Sequence, residues 1–192
     1  MSSTLSKANN VLLVLIILVN AYIIAAPFLP GIIFWAKSQD HKEVTKLEKQ
    51  VSAPAPKQSQ PNRLTIPSML LSEPTYEGTN TYAELEKGVW RWPSGSTPDK
   101  GGNTILIGHR FTYTTPRGVF YLLDKVKTGN KIGLVWNNKK YIYKVFETKV
   151  VPATQTNILD PTAKPTLTLY TCTPLWWPKD RLVVTARLEK KL

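Results

Sequence analysis

The sequence predicts a mainly β domain, a barrel or sandwich with short helical insertions, behind one membrane-spanning helix. Three observations predict it. Residues 11–36 carry no charged side chain. The chain beyond residue 62 is divided into short runs rich in β-branched and aromatic residues. Gly, Pro or Asn bounds most of those runs, as expected where strands turn.

Residues 1–10 form a short polar tail before the apolar run. The 26 positions of 11–36, at about 1.5 Å each, exceed the roughly 30 Å of bilayer hydrocarbon and are read as an uncleaved anchor. A cleaved signal peptide is the alternative, but its apolar region runs about 7 to 15 residues and ends in a small-x-small site. Pro27, Pro30 and Gly31 predict that the helix bends or ends in its second half. Lys7 precedes the span and Lys37, Lys42, Lys46 and Lys49 follow it, a balance that does not itself favour an outward C-terminal side.

Residues 37–62 turn to Lys, Gln, Ser, Ala and Pro and are expected to be a linker, with a short helix over 43–51 and an extended Ala-Pro-Ala-Pro stretch. His41 falls there and is expected to be a solvated side chain. Residues 63–192 are the folded domain. Within it 103–107, 131–136, 140–146, 166–171 and 182–188 read as strands, and Asn137-Asn138 as a hairpin turn. Residues 82–88 and 119–126 read as short helices.

The chain holds 25 Lys plus Arg against 13 Asp plus Glu, which raises an anionic partner such as nucleic acid or a membrane. From Arg63 onward the 19 basic and 10 acidic side chains are interspersed, without a basic run, a zinc-knuckle spacing or an aromatic RNA-recognition pattern. Nucleic acid is therefore not expected as a partner, and an anionic cell envelope suits the charge better. The one cysteine, Cys172, has no second thiol in the chain to pair with.

Cys172 stands where an apolar strand stops, with Thr168 and Tyr170 on its face and Leu167, Leu169 and Thr171 on the other. Residues 173–180 contain Pro174 and Pro178 and form a loop, after which Arg181 opens the next apolar strand. If those strands are neighbours, Cys172 and Arg181 share a rim. His109 directly follows the 103–108 run and sits where another strand gives way to a loop. Taken singly, Cys172 reads as a buried small hydrophobe, His109 as a surface group, and Arg181 as a partner of Asp180 or Glu147. Together they supply a thiolate nucleophile, an imidazole that moves protons, and a permanent cation for an oxyanion, to which the Thr173 backbone N–H adds a donor.

Leu167-Thr-Leu-Tyr-Thr-Cys172 resembles the Thr-Leu-x-Thr-Cys strand of the sortase family, Arg181-Leu-Val-Val the strand that follows it, and Gly102-Asn-Thr-Ile-Leu-Ile-Gly-His-Arg110 the stretch ending in the family's catalytic His. Leu64-Thr-Ile-Pro-Ser and Thr75-Tyr-Glu-Gly-Thr resemble its opening strands, so the similarity covers about residues 63–188. His109-Arg-Phe-Thr-Tyr113 and Cys172-Thr-Pro174 look most like class E, with class D next.

The resemblance implies an eight-stranded sortase β-barrel, extracytoplasmic and held to the cell membrane by one N-terminal helix. It implies cleavage of a Leu-Pro-x-Thr-Gly or Leu-Ala-x-Thr-Gly signal between Thr and Gly. The acyl group passes through Cys172 to an amine of a peptidoglycan precursor or pilin, with His109 and Arg181 completing the catalytic set. Tyr113, Thr171, Thr173 and Trp176 are the expected substrate-binding residues, and no cofactor is expected. No metal is expected either, since the 153–165 loop offers only Asp160 in place of the calcium-binding acids of some class A members. The loop after His109 and the aromatic Leu175-Trp-Trp-Pro178 depart from the class E pattern. A cysteine hydrolase and an inactive envelope-binding barrel are the other readings.

Overall fold

The computed structural model describes residues 2–54, 60–112 and 118–192. The N-terminal apolar segment is helical through α1 (Ser2–Ala25), breaks at a single 3-10 turn (Ala26–Phe28), and continues as α2 (Leu29–Ser38). The break lies at Pro27, which has no N–H to give to the helix ladder. Leu5–Ser38 is long and apolar enough to cross a membrane.

The stretch expected as a plain linker contains a longer helix than the sequence suggested, α3 (His41–Ser52), with Asp40 as its N-cap. Its buried residues Leu47 and Val51 are four apart and so share one face, which lies on the domain. The Lys140 ammonium donates to the carbonyls of Gln50 and Ala53 at the end of α3, where the helix dipole favours a cation. Burial pulls the Lys140 pKa below the usual lysine range.

Among the described residues eight strands close a barrel in the order β1-β2-β3-β4-β7-β8-β6-β5. They are β1 (Arg63–Ile66), β2 (Leu71–Tyr76), β3 (Val89–Arg91), β4 (Asn103–Ile107), β5 (Lys131–Trp136), β6 (Lys139–Pro152), β7 (Thr166–Thr173) and β8 (Asp180–Lys191). The choice left open between barrel and sandwich resolves to a barrel because β1 pairs with both β2 and β5 and closes the ring. Helix α4 (Thr81–Lys87), capped by Asn80, joins the parallel strands β2 and β3. The β5–β6 hairpin turns at Asn137 and Asn138, both at positive φ, as a two-residue type I′ turn requires.

The helix expected over 119–126 is only a turn of 3-10 helix (Leu123–Lys125). Phe120, Leu123 and Val126 are fully buried, a spacing of three that suits 3-10 geometry and drives the segment into the barrel mouth. Inward-facing side chains such as Leu64, Ile66, Leu106, Leu134, Leu167 and Val184 fill the barrel. A second cluster, Trp90, Ile105 and Ile107 with Tyr170 against it, covers the outer face of β3, β4 and β7. His109 and Cys172 continue that outer face by alternation.

Candidate active site

β7 lies between β4, to which it is parallel, and β8, to which it is antiparallel. Across the antiparallel ladder Cys172 is directly opposite Arg181, which sets their Cα atoms about 4.5–5.5 Å apart. Across the parallel ladder Ile107 is level with Tyr170. Two residues further on, at the same phase of the pleat, come His109 and Cys172. Cys172 and Arg181 thus pair on adjacent strands, His109 follows the end of the neighbouring β4 on the same rim, and each of the three is partly exposed.

Hydrogen bonds fix that arrangement. Thr171 Oγ1 donates to the Gly108 carbonyl at 2.8 Å, and the His109 carbonyl accepts from the Phe120 N–H at 3.0 Å. Gly108 has no room for a side chain, since a Cβ there would lie 2.6 Å from Val119 Cγ2 and 3.0 Å from the Phe120 ring. Further down the same strand pair, Thr168 Oγ1 donates to Asn103 Oδ1 at 2.7 Å, and the Asn103 amide donates to the Ile158 and Asp160 carbonyls. The parallel register that aligns His109 with Cys172 is therefore tied at both ends.

Tyr170 precedes Cys172 on the same face. Burial pushes its phenol above the usual tyrosine range, while the Arg181 guanidinium draws it down and Cys172 pushes it further up. Arg181 and Cys172 thus both lie within electrostatic reach of one phenol. The Arg181 guanidinium donates to the Asp180 carbonyl at 3.0 Å. Arg181 does not form an ion pair with Asp180 or Glu147: the Glu147 carboxylate bonds Lys149 at 2.9 Å.

The expected substrate-binding residues fall in different places. Thr171 is buried and its hydroxyl is engaged with Gly108, so it sets strand register below the rim. Thr173 is buried beside Cys172, and its hydroxyl accepts from Arg110 Nη1 at 2.6 Å. Trp176 packs on Phe28 of the N-terminal segment, ring centroids 5.9 Å apart at 53°. Tyr113 lies outside the described residues.

Arg110 is the residue that sequence reasoning passed over. Besides Thr173 it reaches Asp124 Oδ1 through Nη2 at 3.4 Å, and its buried Nε has no hydrogen-bond partner among the described residues. It links the segment carrying His109 to the segment carrying Cys172. The available signal was an arginine adjoining the histidine just beyond the apolar Ile105-Leu-Ile107 run.

The N-terminal segment crosses the same rim. Tyr121 donates its hydroxyl to the Pro27 carbonyl at 2.6 Å. A cavity of about 790 Å³ opens between α2, α3 and the barrel, lined in part by Leu29, Ile33, Leu70, Phe111 and Val119. Among the described residues no three His, Cys, Asp or Glu side chains group as metal ligands would.

Residues 64–189 match the family model described as "Sortase domain". The chain is 32% identical to Sortase D of Bacillus subtilis over 112 residues, 58% of this chain and 53% of that one. It is 33% identical to Sortase A of Listeria monocytogenes over 127 residues, 66% of this chain and 55% of that one. It is 29% identical to Sortase SrtE1 of Streptomyces coelicolor over 145 residues, 67% of this chain and 40% of that one. The crystal structure of Listeria monocytogenes sortase A superposes with a TM-score of 0.61 at 32% identity, covering 68% of this chain and 87% of that one. The chain spans about half the length of the curated relatives it matches.

Proposed function

This chain belongs to the sortase family, and we propose that it is a membrane-anchored cysteine transpeptidase acting on C-terminal sorting signals outside the cell. What supports this reading is the pairing of Cys172 with Arg181 on β7 and β8, with His109 two residues beyond the end of β4, the parallel neighbour of β7. We assign residues 1–10 as the tail, 11–36 as the anchor, 37–62 as the linker whose helix α3 docks on the barrel, and 63–192 as the catalytic domain.

In this reading the Cys172 thiolate attacks the carbonyl carbon of the signal's Thr, forming a C–S bond. The oxyanion that develops meets the Arg181 guanidinium and the Thr173 N–H, at the end of an apolar strand where charge is weakly screened. His109 delivers its proton to the departing Gly nitrogen as the C–N bond breaks. The acceptor amine then attacks the thioester, His109 takes up its proton, and Cys172 leaves as thiolate. Thr171 and Thr173 act from behind Cys172 by holding its strand level with His109. Tyr113 is assigned to recognition of the signal.

The class E resemblance favours a Leu-Ala-x-Thr-Gly signal, with Leu-Pro-x-Thr-Gly as the alternative. The acceptor is assigned as an amine of a peptidoglycan precursor or pilin. Product analysis on both peptides, with and without an added amine, tests the reaction type. A new amide to the added amine is expected. Release of the free acid alone, unaffected by the amine, would replace transpeptidase by hydrolase.

A further inference from the structure

The anchor and the catalytic rim are in direct contact, and the contact is made of aromatic groups. The uncharged run begins at Val11, and about 20 helical residues from there, at about 1.5 Å each, cross the roughly 30 Å of a bilayer's hydrocarbon. The chain therefore leaves the hydrocarbon near the first turn of α2, just past the break at Pro27. Phe28, the residue that precedes α2, and Ile32 and Trp35 within it, spaced by four and then three, share one side and stand 53%, 59% and 67% exposed. Trp176, in the loop between Cys172 and Arg181, packs against Phe28 with the rings tilted. Trp176 itself is 56% exposed and its neighbour Trp177 is 76% exposed.

Two adjacent indoles left in water on a loop that touches a membrane helix have a direct physical explanation. Indole combines an apolar ring with an N–H donor and concentrates at the boundary between headgroups and acyl chains. Exposed Lys37 ends α2, and exposed Lys179 follows the indoles; both suit lipid phosphates. The acid in this loop region, Asp180, is half-buried at the start of β8. Tyr121 ties the anchor to the segment after His109 through the Pro27 carbonyl, a second point of contact between the anchor and the rim.

We propose that the β7–β8 loop is a membrane contact: Trp176 and Trp177, with Phe28 and Trp35, rest in the headgroup region of the bilayer that holds α1, and the catalytic rim faces that bilayer. The inference rests on the reading of 11–36 as a membrane anchor. It extends that reading by orienting the barrel, so that a signal peptide and the acceptor amine both reach Cys172 along the membrane surface.

The test uses the full chain with Cys172→Ala, a single cysteine introduced as Trp177→Cys or Lys139→Cys, and an environment-sensitive fluorophore on it. Lys139 adjoins the β5–β6 turn, at the barrel end opposite the rim. In vesicles of phosphatidylcholine and phosphatidylglycerol the probe at 177 should shift to the blue. Lipid spin-labelled near the headgroup should quench it about twofold or more, and more strongly than lipid labelled at mid-chain. The probe at 139 should respond to neither. Vesicle-bound protein whose probe at 177 behaves like that at 139 overturns the proposal. So does a probe at 177 that answers only to an added sorting-signal peptide, since the indoles would then serve the peptide. Failure of the chain to float with vesicles at all overturns the anchor reading beneath it and is seen separately.

Discussion

The Thr171 hydroxyl donates to the Gly108 carbonyl at 2.8 Å, tying the residue before Cys172 to the residue before His109. Both are buried, so the bond exchanges no partner with water. Thr171→Val keeps the shape and leaves the carbonyl unsatisfied, which costs about 1–3 kcal/mol. The expected result is a lower denaturant midpoint together with a fall of about tenfold or more in kcat/KM, with Thr171→Ser restoring most of both.

Arg110 performs the corresponding task on the other side of Cys172. Loss of its bond to Thr173 in Arg110→Ala should lower kcat/KM about 10- to 100-fold, the size expected for a charge-assisted bond that holds a site in place. Thr173→Ala should add little to Arg110→Ala, because the two substitutions remove the same bond. A double-mutant cycle should return a coupling of about 1 kcal/mol or more. Asp124→Asn should matter less, since that carboxylate is 46% exposed and 3.4 Å away. Additive single and double variants would separate Arg110 from the Cys172 strand.

Buried phenols give the stability a direction in pH. Burial raises the Tyr143 and Tyr170 hydroxyls above the usual tyrosine range in the folded protein. Above the ordinary value near 10 the unfolded chain has released protons that the folded chain still holds, so stability falls as pH rises. Below that value both states are protonated and these groups contribute no slope. Urea midpoints should therefore hold steady up to about pH 9 and decline beyond pH 10. Tyr143→Phe should flatten that decline.

The parts of the fold legible in the sequence were those built from local pattern. The apolar strands β4, β5 and β7 announce themselves because each is short, β-branched and bounded by a turn residue. His109, Cys172 and Arg181 all adjoin such strands, which is why their common rim could be anticipated. β3 is only three residues long, too short for a period to show. β6 runs on to Pro152 through the polar stretch Glu147, Thr148 and Lys149, whose partners on β8 the sequence does not reveal. The Val119 segment has helical composition, but its burial at every third residue follows from the barrel mouth it plugs. Arg110 and Thr173 are 63 residues apart, and a bond between two ordinary polar side chains at that separation leaves no local trace. The docking of α3 depends likewise on Lys140, which in the sequence is one more basic residue in a hairpin.

The most direct test of the account is intact and peptide-level mass spectrometry of the full chain mixed with a sorting-signal peptide in the absence of an amine acceptor. The account predicts an adduct carrying the peptide up to its Thr, located on Cys172, released by hydroxylamine and absent in Cys172→Ala. An adduct on another residue, or a Cys172→Ala protein that cleaves the peptide as the natural chain does, would contradict it.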